Sequence, residues 1–431
     1  MKRSNFAVLK QEFVLSIFLP ATTILLIMGG AQAWIQTFYF NDPFNQRVGW
    51  ISQDGPWPKE YAFGVHYFGD YFTMNQHALL SDPWSQFNIY PPAAVALFKL
   101  FAIFPYKVGL LLWMSFAIAC FVSPIIHASK RFTLGTRIQI IFITVLGSAP
   151  VIGTLDRGNC IFVLVPLLYF GYTSMQNQKY LLSGALIGSA AAVKLYPLLI
   201  ILFLIVLRKW RVAINSIAVF IFLTLSTALI WSHPIRSILQ TIKYANSWNG
   251  LDKEGQVMIF SFAGILNNLL VFFHLSGSHF SSFVLTNSRV IGVILLIAFL
   301  IISFGTNELN VFLLALSTIQ LIPTVSYTYT RIWTIVALSL LILNSQGSPN
   351  YQKFSRGVEK WWWLMILTTN SLLTVFVLHP ISLGPVISLV CLAMVMRNSF
   401  SSSEIRSGIK SFFSNTYHVD KVNRNSFSTK G

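Results

Sequence analysis

Long apolar runs alternate with short polar ones along this chain, and the runs near membrane-crossing length set its architecture. A hydrocarbon layer of roughly 30 Å needs about 20 apolar residues in a helix. Runs over 13–34, 107–127, 138–153, 160–176, 212–232, 290–305, 309–322, 332–344, 361–378 and 383–397 approach that length, several on the short side. The first of them, "FVLSIFLPATTILLIMGGAQAW", is read as a retained anchor helix, although Ala31-Gln32-Ala33 also imitates a signal-peptidase site.

Two stretches break the pattern. "YPPAAVALFKLFAIFP", whose apolar part covers about 91–104, is too short to cross, starts on prolines and ends on another. It predicts a half-helix or a helix lying at the outer interface. The run 181–207, "LLSGALIGSAAAVKLYPLLIILFLIVL", carries Gly184 and Gly188 ahead of Lys194, then a break at Pro197. It predicts a short helix out and a short helix back, with Lys194 at the outer tip. A single crossing would leave that lysine in lipid, at a cost interrupted helices lining a cavity avoid.

The fold expected is therefore an all-α polytopic membrane domain over 1–397. It holds about 10–13 membrane helices, short or re-entrant ones included, and a long first outer loop at about 35–90. Residues 398–431, rich in Ser, Asn, Lys and Arg, read as a disordered basic tail near anionic lipid on the cytoplasmic side.

Composition agrees. Of 431 residues, 55% are hydrophobic and only 10% charged, against about 25% charged in soluble domains. The net charge of +17 would suit nucleic acid, but the basic residues sit between apolar runs instead of on one face or arm. The partner they imply is the lipid bilayer, with no nucleic acid. Cys120, Cys160 and Cys391 all lie in apolar stretches without C-x-x-C spacing, so they read as packing residues.

Charge also orients the chain. With a cytoplasmic N-terminus, about two-thirds of all Lys and Arg fall inside, as the positive-inside rule requires, among them Lys130, Arg131, Arg137, Lys179, Arg208, Lys209 and Arg211. Asp42, Asp54, Glu60, Asp70, Asp82, Asp156, Asp252 and Glu254 fall outside. A loop of the first one's length is more than a connector, and such loops are usually functional.

Motifs of soluble enzymes are missing: the sequence holds no G-x-G-x-x-G, Walker A, H-E-x-x-H or G-x-S-x-G. What remains is a set of acids and bases on the outer side. It comprises Asp70, His77 and Asp82 in the first loop, Asp156-Arg157-Gly158-Asn159 between two helices, Lys194 at its tip, and "SYTYTR" ending in Arg331. A carboxylate with several cations suits group transfer away from an anionic leaving group: the carboxylate takes a proton from a hydroxyl and the cations hold a phosphate. Each residue has a plainer reading as well. Asp82 before Pro83 starts a turn, Asp70 caps a helix, His77 is a hydrogen-bonded interface residue, Arg157 pairs with its neighbour Asp156, and Lys194 snorkels to headgroups.

Taken in order, these residues resemble a known family. "FGDYFTMNQHALLSDPWSQFNIYPPAAVALFKLFAIFP" resembles the first-loop signature of glycosyltransferase family 87: an aspartate before an aromatic pair, a small helix, an Asp-Pro turn with an aromatic, then Tyr-Pro-Pro and an apolar run. "RGNCIFVLVPLLYFGYTSMQNQKYLLSGALIGSAAAVKLYPLLIILFLIVLRKWR" resembles its second block through Gly158-Asn159, Gly184, Gly188, Lys194 and Pro197. The resemblance implies a GT-C-like helical bundle, similar to polyprenol-phosphate-mannose-dependent α-mannosyltransferases. It also implies an inverting hexosyl transfer from a polyprenyl-phosphate sugar to a lipid or glycan acceptor at the outer face of the plasma (inner) membrane.

By position in the motif, Asp70 is the expected general base, and Asp82 shapes the loop or binds sugar. Lys194, Arg157 and Arg331 are the expected donor-phosphate contacts, with His77, Tyr90, Asn159 and Tyr327 toward the substrates. Relatives often carry a histidine in the late outer loop, where this chain has "SYTYTRIWT". No cofactor and no metal are expected. Trp50, Trp57 and Tyr61 stack on sugar or anchor at the interface. The rival readings are a transporter or flippase for a lipid-linked or sugar substrate, against which stands the absence of matching halves, and a polysaccharide polymerase or ligase, which needs a large late outer loop.

Overall fold

The computed structural model describes residues 68–85, 88–146, 148–247, 261–275, 279–304, 306–322, 331–345, 361–366, 377–378 and 381–399. The expected first helix over 13–34, Trp50, Trp57, Tyr61, Tyr327 and the tail beyond Ser399 lie outside these residues.

The described residues form a helical assembly. It opens with α1 (Gly69–His77), α2 (Pro92–Ala102), α3 (Tyr106–Ala128), α4 (Leu134–Leu146) and α5 (Ala149–Arg157). A 3-10 turn at Cys160–Val163 leads into α6 (Leu164–Gln176), α7 (Tyr180–Val193), α8 (Leu198–Val206), α9 (Trp210–Ala228) and α10 (Pro234–Ser247). There follow α11 (Phe262–Phe272), α12 (His279–Thr286), α13 (Ser288–Ser303), α14 (Glu308–Leu321) and α15 (Trp333–Ser345). Residues 361–366 are helical. A two-residue antiparallel pairing of β1 (Val377–Leu378) with β2 (Ile381–Ser382) precedes α16 (Leu383–Ser399).

Two expected spans are corrected. The run 138–153 is not one helix but the end of α4 and the start of α5. Ser148 takes an extended conformation and its Oγ accepts from the Val151 N–H, while Pro150 sits in the first turn, so the polar cap and the proline restart the helix. The run 361–378 does not stay helical to its end, because Val377 and Leu378 are extended and paired.

Among the described residues two helices, α3 and α9, are long and apolar enough to cross a bilayer, and α2, α6, α7, α13, α14 and α15 are shorter apolar helices. Their outward faces are those of a protein set in lipid. On α9, Ile214, Ile217, Ile221, Phe222 and Leu225 are exposed at helical spacing, and on α13 so are Val290, Val293, Ile294, Ile297 and Ile301. By contrast α14 and α15 are buried nearly all round, which makes them the middle of the bundle.

The path of the chain defines two ends. From Asn159, α6 runs to Gln176, where the Gln176 amide donates to Glu308 Oε2 at 2.8 Å. Lys209, just ahead of α9, reaches the other oxygen of Glu308 at 2.7 Å. Between these two points the chain goes up α7 to Lys194 and returns along α8, and Lys194 meets Tyr90 at the far end. At 14 residues, α7 is about 21 Å long. The cluster of Asp70, Asn159 and Lys194 is thus separated by the length of α6 and α7 from the Glu308 pair.

What holds α7 in place is a face with no side chains. A Cβ on Gly184 would come within 2.7 Å of Asn215 Cβ and 2.9 Å of the Val212 carbonyl, and one on Gly188 would collide with the Ser216 carbonyl. Four residues apart, these glycines let the α7 and α9 backbones touch, as helix pairs in lipid require. The Asn215 amide seals the contact by donating to the Leu181 carbonyl at 2.6 Å.

Gly188→Val is therefore expected to destabilise the protein by at least about 1–3 kcal/mol through overpacking. Gly135→Ala, with open space around the position, should cost nothing. Thermal unfolding of the two variants in detergent checks this; equal midpoints would contradict the close α7–α9 contact.

Candidate functional site

The site begins with a turn. Helix α5 ends on Gly158 in the left-handed conformation, φ 66°, and its N–H returns to the Leu155 carbonyl. Glycine is needed there twice over: φ is positive, and a Cβ would lie 2.6 Å from Tyr71 Cβ. The Trp113 indole donates to the Gly158 carbonyl at 3.0 Å, and Trp113 itself stacks on Phe98 with centroids 4.5 Å apart. The turn is locked between α1 and an aromatic floor.

The residues on either side of Gly158 both reach Asp70. Before it, Arg157 Nη1 lies 3.6 Å from Asp70 Oδ1. After it, the Asn159 amide Nδ2 donates to Asp70 Oδ2 at 2.7 Å and to the Tyr90 hydroxyl at 2.8 Å. Its Oδ1 is taken by the Ile161 N–H at 3.0 Å, which caps the 3-10 turn and fixes the amide's orientation. Buried Asn159 therefore presents both its hydrogens to the first loop.

Asp70 does not cap α1. The preceding residue Phe68 holds that position in a left-handed conformation, φ 60°, without a side-chain cap, and its N–H donates to the Asp156 carbonyl at 2.7 Å. Asp70 stands in the first turn, where the helix dipole favours an anion. Its side chain and that of Arg157 are each about one-quarter exposed (24% and 25%), so the pair is open to an incoming molecule. The plainer sequence reading paired Arg157 with its neighbour Asp156; its side chain also meets the distant Asp70.

Tyr90 joins the other charges. Its hydroxyl is 3.4 Å from Asp70 Oδ2, and the Lys194 Nζ lies 3.9 Å from its ring centroid. Lys194, extended at the end of α7, has its pKa lowered first by loss of water around it and further by the Arg157 charge; Cys160 and Asp70 oppose that shift.

The other candidates have surroundings of their own. Asp82 accepts from the Trp84 N–H at 3.1 Å and meets Arg236 Nη1 at 3.2 Å, while its backbone carbonyl takes Ser85. It shapes a turn and ties it to α10. His77 is buried at the end of α1. Arg331 is fully buried at the head of α15, where its carbonyl accepts from Thr334 Oγ1 at 2.8 Å. Tyr327 is outside the described residues. Among the described residues no three His, Cys, Asp or Glu side chains gather as a metal site would.

Sequence reading missed α10 and its contribution. Besides Arg236, it supplies Thr241, whose hydroxyl donates to the Tyr90 carbonyl at 3.2 Å. The signal was present in Pro234 as a helix start, followed by isoleucine and leucine at helical spacing through Ile242. Trp84 also supports Tyr90, its indole donating to the same carbonyl at 3.3 Å, and it packs edge-on against Trp231.

Comparison with known proteins places this geometry. Residues 88–326 match the sequence profile of glycosyltransferase family 87. None of the curated proteins and no solved structure matches the chain. The matched region holds Tyr90, Arg157, Asn159 and Lys194, and Asp70 enters the site from just before it through direct contacts with three of these. With more than half of its length and most of the polar cluster inside that profile, the chain belongs to glycosyltransferase family 87 and is a glycosyltransferase built of apolar, membrane-type helices.

Proposed function

We propose that the protein transfers a hexose, mannose in the first instance, from a polyprenyl-phosphate sugar to a hydroxyl of a lipid or glycan acceptor at the outer face of the membrane. The observation that carries this reading is the single carboxylate of Asp70 held between an amide, a phenol and a guanidinium, with the Lys194 ammonium next to the phenol. One anion beside two cations leaves a surplus positive charge for an anionic donor.

The chemistry follows from that charge arrangement. The acceptor hydroxyl gives its proton to Asp70 as its oxygen forms a bond to the anomeric carbon. The bond from that carbon to the phosphate oxygen breaks on the opposite face, and polyprenyl phosphate leaves with the electron pair. Inversion results because attack and departure lie in line. The phosphate gains negative charge as it departs, and Lys194 and Arg157 stabilise that growing charge more than they stabilise the bound donor. Arg331 is a third cation for the same role.

Asp70 suits the base because its hydrogen-bond donors fix it without burying it. Asn159 holds Oδ2, while among the described residues Oδ1 has the longer contact to Arg157, which leaves it available to a hydroxyl. The outer-face assignment rests on the same geometry. Asp70, Asn159 and Lys194 lie at the end of the bundle opposite Lys209, within the Arg208 to Arg211 cluster that the distribution of charge puts inside.

Asp70→Asn is expected to lower kcat by at least about 10²-fold, the usual reach of a positioned base, with the protein still inserted and the donor still bound. Product formation by purified protein given polyprenyl-phosphate hexoses measures this. Near-normal turnover of the variant, or uptake into proteoliposomes without glycoside formed, would overturn the reading. The lowered pKa of Lys194 adds a second expectation, since a neutral amine no longer holds phosphate. The donor KM should rise at a lower alkaline pH than an ordinary lysine would give, and Lys194→Arg should carry that rise to higher pH; an unchanged profile in the variant would remove Lys194 from the phosphate site.

A further inference from the structure

Tyr90 touches both halves of the proposed chemistry, and the backbone around it is held more firmly than that of a substrate-contacting loop needs to be. Its N–H donates to Asn88 Oδ1 at 2.9 Å. Its carbonyl accepts from the Trp84 indole at 3.3 Å and from Thr241 Oγ1 at 3.2 Å. Pro91 follows, with its backbone in the extended conformation, and Pro92 opens α2. The ring packs edge-on against Phe98, centroids 5.8 Å apart. Three polar contacts on the backbone and one on the ring leave the side chain a single place to stand.

From that place it acts in two directions. The hydroxyl reaches Asp70 and accepts from Asn159, so it shares the amide that orients the carboxylate. The face of the ring carries the Lys194 ammonium, with Nζ 3.9 Å from the centroid. Lys194 itself is extended at the start of a short turn between α7 and α8, and its side chain has four flexible bonds of its own. An aromatic face beneath it is what holds its charge at a fixed distance from the carboxylate.

We propose that Tyr90 is a positioning residue that sets the separation between the Asp70 carboxylate and the Lys194 ammonium, its hydroxyl ordering the first and its ring ordering the second. This rests on the donor, base and phosphate assignments made above. The two duties reside in different atoms of one side chain, so substitution separates them. Charged and titratable groups facing the carboxylate are Arg157, Lys194 and Tyr90 itself, with Cys160 buried close by.

Tyr90→Phe keeps the ring and removes the hydroxyl. Its donor KM should stay within about twofold of the parent. Its kcat should fall about 3- to 10-fold, because the Asp70 carboxylate loses one of the groups that orient it toward the acceptor. Tyr90→Leu removes both, and its donor KM should rise by about 3- to 30-fold, the range a cation–π contact spans. Steady-state kinetics with a polyprenyl-phosphate hexose as probe, on monodisperse protein in detergent, reads both effects. If Phe and Leu variants share one KM and one kcat, Tyr90 is only structural and the proposal fails. Should the Leu variant not fold, the Phe variant decides alone: a lowered kcat at constant KM supports the proposal and an unchanged kcat overturns it. Failure of the underlying reading looks different, as the parent protein would form no glycoside or Asp70→Asn would retain turnover.

Discussion

One side-chain amide organises the site. Asn159 gives one hydrogen to Asp70 and one to Tyr90, while its oxygen is fixed by the backbone of the turn that starts α6. Through these bonds three segments meet: the first described helix, the entry to α2, and the turn after α5. A buried amide left without any of these partners would lose the whole of its hydration without compensation, typically about 1–3 kcal/mol for each unsatisfied group. The polar cluster therefore fixes the packing of the helices around it as much as the helices fix the cluster.

The turn that carries Asn159 is in its own way obligatory. Gly158 is pinned by its positive φ, by the nearness of Tyr71 and by the Trp113 indole on its carbonyl. On the other side, Lys194 arrives at the cluster because Gly184 and Gly188 bring α7 flush against α9. Two close backbone approaches, each sealed by a hydrogen bond from a side chain, thus deliver the amide and the ammonium to the same tyrosine. In lipid, where burying apolar surface between helices gains little over contact with acyl chains, such close packing is the main stabilising term available.

How much of this was legible in the sequence depends on how local the cause is. The 23 residues of α3 were readable because a long apolar run has one outcome in this setting. The division of 138–153 into α4 and α5 was not, since the apolar count hides a serine cap and a proline that act only once the backbone turns. Asp70, Tyr90, Asn159 and Lys194 were nameable as polar residues in an apolar chain with a familiar order. Their mutual contacts were not, because Asp70 and Asn159 are 89 positions apart and no periodicity links them. Arg157 illustrates the limit well: the acid next to it in sequence was the visible neighbour, and nothing local announced that its guanidinium also meets Asp70. For the same reason Arg236, partner of Asp82 across more than 150 positions, gave no sign.

The central claim is that one end of the bundle holds a base and its leaving-group cations on a common frame, with Asp70 at the hydroxyl of Tyr90 and Lys194 over its ring. An experimental structure of the chain with a polyprenyl phosphate bound tests it most directly. The account predicts phosphate oxygens in contact with Lys194 and Arg157, and the Asp70 carboxylate across a space that a hexose fills. A phosphate seated at the opposite end, near Lys209 and Glu308, or a lipid bound with Asp70 turned away from it, would contradict the account.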